Sequence, residues 1–174
     1  TMKMGRKALL GGAGLLALGV GGLTGRRMWL SREPEPPVAI DAKGRALWSN
    51  WAGNERAYPA VRAAPANEAE LAALLPKAQA PVRPVGSGHS FTALVPTDGT
   101  LLSIDRLNGL VGHDAAGLTA TVRAGTKLSA LGPMLAGIGQ EMPNLPDINK
   151  QTLAGALATG THGTGKGIKA IHGD

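Results

Sequence analysis

Pro84-Val85-Gly86-Ser87-Gly88-His89-Ser90-Phe91 is the stretch on which the reading of this chain turns. It follows a short, proline-flanked run rich in valine, Pro81-Val82-Arg83-Pro84-Val85. Arg83 precedes a proline and is pushed toward extended geometry, so the run predicts a strand leading into a tight Gly-Ser-Gly turn. Gly86 and Gly88 lack a Cβ, so they can adopt positive φ and bring backbone N–H groups close to an anion. Ser87 and Ser90 add hydroxyl donors, and His89 adds an imidazole able to act as ligand, base or nucleophile. The turn alone does not specify what it holds. It departs from the Gly-x-Gly-x-x-Gly dinucleotide fingerprint, because Phe91 stands where the third glycine belongs and no helical pattern begins there.

Upstream, Asn67-Glu68-Ala69-Glu70 fits a helix N-terminus, with Asn67 as the cap and Glu70 three residues on. Leu71, Leu74 and Leu75 then give an apolar stripe at i, i+3 and i+4, and Pro76 ends or kinks the helix before the strand at Val82. Earlier still, Trp48-Ser49-Asn50-Trp51-Ala52-Gly53-Asn54 carries two of the three tryptophans in the chain, which are expected to anchor the edge of a core.

Downstream, Thr97-Asp98-Gly99-Thr100 predicts a turn and Leu101 to Ile104 a strand. Asp105 to Leu110 reads as turn-like, and Leu118 to Arg123 alternates as a half-buried strand should. Thr126 is the expected cap of a helix with Leu128, Leu131 and Leu135 on one face, and Met142 to Pro146 reads as an extended connector. Thr152-Leu153-Ala154-Gly155-Ala156-Leu157-Ala158-Thr159 predicts a short helix capped by Thr152. Its Ala154, Gly155, Ala158 and Thr159 are all small, so this surface can approach another backbone or a flat ligand. The continuation, Gly160 to Gly167, nearly spells the phosphate loop G-x-x-x-x-G-K-[ST], but Gly167 replaces the hydroxyl residue that binds magnesium. A helix also precedes it where that loop needs a strand.

Composition narrows the rest. The 174 residues suffice for one domain with a real core, and the absence of cysteine excludes disulfides and thiolate metal sites. The four histidines, His89, His113, His162 and His172, show no paired metal-ligand spacing, so no metal is expected. The net charge is +6, yet residues 1–33 hold six cations against Glu33 alone, which leaves the remainder at only +1. The basicity belongs to the leader, and the body shows no nucleic-acid footprint. Within that leader Ala8 to Leu23 is an uncharged, glycine-rich apolar run flanked by Lys3, Arg6 and Lys7 and by Arg26, Arg27 and Arg32. As a helix it would extend roughly 24 Å, short of a hydrocarbon core about 30 Å thick. Residues 1–33 are therefore expected to be a signal or membrane-anchor segment, with residues 34–45 as a linker and 46–174 as the folded part.

Four features taken together resemble the amino-terminal part of the FAD-dependent sugar-lactone and alditol oxidases, a branch of the vanillyl-alcohol-oxidase-type flavoproteins. They are Trp48-Ser49-Asn50-Trp51, Pro84 to Phe91, Asn144-Leu145-Pro146-Asp147-Ile148, and Gly155 to Gly165, in this order and spacing. The resemblance implies an α+β FAD-binding domain, its first subdomain and the start of its second, with the cofactor between them. It implies that Gly86, Ser87, Gly88 and Ser90 lie on the diphosphate, and that His89 carries the flavin covalently through its 8α-methyl group. It places Thr152, Gly155, Thr159, Gly160, Thr161 and His162 along the ribityl chain and ring.

The chemistry implied is oxidation of a CH–OH group of a sugar lactone or polyol, with hydride passing to the flavin and electrons to oxygen or another acceptor. With its leader, the protein is expected to be exported or membrane-associated, on the extracytoplasmic side. Measured against that family the chain stops at Asp174, soon after the second motif, so a substrate domain is not expected within it and no catalytic base can be named. The competing expectation is a membrane-tethered, non-catalytic remnant or interaction module of the same fold.

Overall fold

The computed structural model describes residues 37–173. The expected leader and the start of the linker lie outside the described residues, among which no helix is long and apolar enough to cross a membrane. Residues from Val38 onward form one compact unit. Residues 38–45, expected as linker, make a tight turn closed by an Ile40–Ala46 bridge. Asp41 organises that turn: its carboxylate accepts from the backbone N–H groups of Lys43 and Arg45 and pairs with the Arg45 guanidinium at 2.7 Å.

Two short strands follow, β1 (Trp48–Ser49) and β2 (Arg56–Ala57), paired antiparallel around the turn Asn50–Asn54. Then comes a parallel three-stranded sheet of β3 (Val61–Ala63), β4 (Val82–Val85) and β5 (Thr100–Ser103) in the order β3-β5-β4. Helix α1 (Glu68–Leu74) makes the crossover from β3 to β4. Its start is the expected one: Asn67 Oδ1 accepts from the Glu70 N–H at 2.9 Å, and Glu70 reaches back to the Ala66 N–H. The central strand is the best buried, with Thr100, Leu101 and Leu102 almost fully covered. Pairing Val85 with Ser103 and Pro84 with Leu102 brings the carboxyl ends of β4 and β5 side by side.

Strands β6 (Leu110–Asp114) and β7 (Thr119–Val122) form an antiparallel hairpin. Only β7 is legible from alternation; β6 contains Gly112 and exposes Val111 and His113, so it carries no apolar face to announce it. Helix α2 (Leu128–Ala136) buries Leu128, Leu131 and Leu135 against Ala156 and Ile171, with Val122, Met142 and Leu153 at the margin. Its cap corrects the sequence reading. Lys127, not Thr126, is the N-cap, and the Thr126 hydroxyl instead accepts from the Gly109 N–H at 2.9 Å. The first donors of α2 are satisfied by carbonyls from another segment: Leu128 N–H meets Gln151 O, and Ser129 N–H meets Asn149 O. A Lys127–Thr152 bridge and the Leu153 N–H to Thr126 O bond complete the seam. This seam delivers helix α3 (Leu153–Ala158), capped as expected by Thr152, to the sheet.

Candidate functional site

The Gly86–Ser90 turn leaves the carboxyl end of β4, an edge strand, and is gripped from both sides. On one side, the β1–β2 turn supplies three bonds. Trp51 N–H donates to Gly88 O at 2.8 Å, Asn50 Nδ2 to Ser90 O at 2.9 Å and Asn54 Nδ2 to Phe91 O at 3.0 Å. Asn50 is itself buried and accepts from the Glu55 N–H. Gly88 has φ +65, and its α-carbon faces Trp48 and the Asn50 backbone closely enough that a Cβ would be in contact with both. The paired expectation of a tryptophan anchor is thus half met. Trp48 is half-buried beside the turn, whereas Trp51 is 66% exposed and stacks on the His89 ring, with centroids 5.3 Å apart and planes at 21°.

On the other side stands the α2–α3 seam. The Ser87 hydroxyl donates to the Lys150 carbonyl and accepts from Lys127 Nζ at 2.9 Å, while Lys127 also pairs with Asp105 at 2.8 Å. Ser90 Oγ is turned back into its own loop, where it accepts from the Thr92 N–H. The two hydroxyls expected to serve an anion are therefore engaged within the protein. Among the described residues, the N–H groups of Gly86, Ser87, Gly88, His89 and Ser90 donate to no protein acceptor.

Between the turn and helix α3 lies a cleft of about 430 Å³. Gly86 through Ser90 line it from the first segment, and Thr152, Gly155, Thr159 and Thr161 from the second. These two segments, 62 or more positions apart in the chain, thus share one wall-to-wall space. Two predicted residues do not reach it. Gly160, at φ +63, turns the chain away against His172, and His162 follows it outward, with Nδ1 at 2.8 Å from Gly163 O. Both line an adjoining depression with Pro146 to Ile148. Ala154 is also absent from the cleft wall, and its N–H donates to the Ala124 carbonyl.

Sequence reasoning missed Arg83, Leu94, Val95 and Gln151, all of which line the cleft. Gln151 is informative because its Oε1 is buried without a hydrogen-bond donor among the described residues. Its place immediately before the Thr152 cap was the available signal.

Comparison with known proteins agrees with this geometry. A family model described as FAD binding domain matches residues 59–174. L-gulono-1,4-lactone dehydrogenase of Mycobacterium tuberculosis (strain ATCC 25618 / H37Rv) is 42% identical over 122 residues, covering 68% of this chain and 28% of that protein. D-arabinono-1,4-lactone oxidase of Eremothecium gossypii is 36% identical over 137 residues, covering 73% and 26%. The chain therefore spans about a quarter of the length of these curated relatives. Among solved structures, cholesterol oxidase from B. sterolicum superposes with a TM-score of 0.54 at 23% identity, over 75% of this chain and 27% of that one, which establishes the fold.

Proposed function

This chain belongs to the FAD binding domain family, and from that membership we propose that it is the cofactor-binding part of an oxidoreductase acting on a CH–OH group of a sugar lactone or polyol. The observation that carries the reading is the convergence of Gly86–Ser90 and Thr152–Thr161 on one cleft. The residues present fit the cofactor. Five backbone N–H groups without protein acceptors suit a diphosphate, and the small side chains of Gly155, Ala158 and Thr159 leave room for a planar ring. Gln151 Oε1 is a buried acceptor in want of a donor, which a ribityl hydroxyl could supply.

When bound, the flavin supplies the hydride acceptor and passes electrons to oxygen or another acceptor. The chain's own part is to seat the diphosphate on the Gly86–Ser90 backbone, to exclude water with Leu94 and Val95, and to present His89 as the covalent attachment point. The lactone substrate class is supported by what the relatives' names state. A signal or anchor role for residues 1–33, and with it an exported or membrane-associated location, is supported by the basic-flanked apolar run. Deleting residues 1–33 is expected to move the protein to a different cell fraction.

The test is to express the gene product with excess FAD and precipitate it with acid. Yellow colour retained in the pellet, and lost in His89→Ala, is the expected result. A colourless protein that binds neither FAD nor ADP in titration calorimetry would overturn the cofactor assignment. Acid-stable colour in His89→Ala would overturn the attachment site alone.

A further inference from the structure

We propose that Trp51 is the positioning residue of His89, orienting the imidazole at the cleft wall by stacking where such histidines are ordinarily oriented by a hydrogen bond. The inference deepens the reading that His89 meets the cofactor and rests on it. A reacting imidazole is commonly held by a partner on the ring nitrogen that does not react, which fixes both its orientation and its tautomer. Among the described residues, the imidazole with such a partner is that of His162, through Gly163 O, whereas neither nitrogen of His89 has one.

What His89 has instead is the Trp51 indole, nearly parallel to it at 5.3 Å. Stacking covers one face of the imidazole and narrows the approach to its nitrogens to the opposite side. The indole is in turn fixed from two directions. Phe91 meets it edge-on, with centroids 6.4 Å apart and planes at 86°, and its own backbone N–H is bonded to Gly88 O. The three rings thus run from Phe91 through Trp51 of the β1–β2 turn to His89 at the cleft wall. This accounts for an otherwise unfavourable feature: a tryptophan 66% exposed contributes little core burial, so its packing value lies in what it touches.

The test compares Trp51→Leu, which keeps apolar bulk, with Trp51→Phe, which keeps a ring. Diethyl pyrocarbonate modification, mapped by mass spectrometry, reports His89 with His113, His162 and His172 as internal controls and needs no flavin. In Trp51→Leu, His89 is expected to react severalfold faster while the other three are unchanged, and Trp51→Phe is expected to restore the wild-type rate. The yield of acid-stable flavin at fixed time is expected to fall about tenfold in Trp51→Leu and to recover in Trp51→Phe. Unchanged His89 reactivity in Trp51→Leu, or a rise shared by all four histidines, would overturn the proposal, as would acid-stable flavin indifferent to the ring. A wild-type protein with no acid-stable flavin but the expected His89 protection would overturn the attachment reading and leave the positioning role standing.

Discussion

Gly86 lies so close to Thr152 that a methyl group on its α-carbon would overlap the threonine hydroxyl. This contact joins the end of β4 to the cap of α3, and so joins the two halves of the cleft. Gly86→Ala is expected to destabilise the fold by about 1–3 kcal/mol, the usual range for overpacking a tight contact. Thr152→Ala alone removes a helix cap and should cost about 1 kcal/mol. Combined, the two should cost less than their sum, because the second substitution removes the oxygen that the first collides with. Urea denaturation of the four proteins measures this directly.

Asn50 is the buried pin of the first glycine-rich turn. Replacing it with alanine leaves the Ser90 carbonyl and the Glu55 N–H without their partners, at about 1–3 kcal/mol for each group that water cannot reach. The expected result is a lower denaturation midpoint together with weaker FAD binding by calorimetry, since the same bonds set the path of the turn.

Ser87 and Lys127 should behave as one unit. The Lys127–Asp105 pair is well exposed, and alone contributes under about 1 kcal/mol. Ser87→Ala removes both the acceptor for Lys127 and the donor to Lys150 O, and should cost about 1 kcal/mol. In a double-mutant cycle with Lys127→Met the losses should not add, and raising the salt concentration should weaken the wild type more than Lys127→Met.

Asp41 gives the fold a small acid sensitivity. The Arg45 backbone N–H, then the Arg45 side chain and the Lys43 N–H, hold its carboxyl below the ordinary value of 3.8. A depressed folded-state value contributes stability above the unfolded value that is lost as pH falls through the folded one. The wild type should therefore lose stability below about pH 4 more steeply than Asp41→Asn, a difference readable in thermal melts across that range.

Much of this site was legible in residue order because its signals are local. A pre-proline valine run, a glycine at a positive-φ position, and a threonine three residues ahead of its bonded N–H each declare themselves within a few positions. What escaped depends on distant partners. The Ser87 and Ser90 hydroxyls look available until Lys127, Lys150 and Thr92 engage them. His162 belongs to the same motif as Thr161, yet one left-handed glycine between Thr159 and Thr161 turns it aside. Trp51 is a core residue by type, yet it is largely exposed and stacks on His89, a contact between residues 38 positions apart.

The strand order β3-β5-β4 also sets a schedule for biogenesis. The middle strand is the last of the three to be translated, so a nascent chain ending before Thr100 presents β3 and β4 as two strands with no neighbour between them. The base beneath the Gly86–Ser90 turn exists only once Ser103 has emerged from the ribosome, and the opposing wall only after Thr161. A flavin nucleotide thus has both walls of the cleft to grasp only on a nascent chain that has been extended past Thr161.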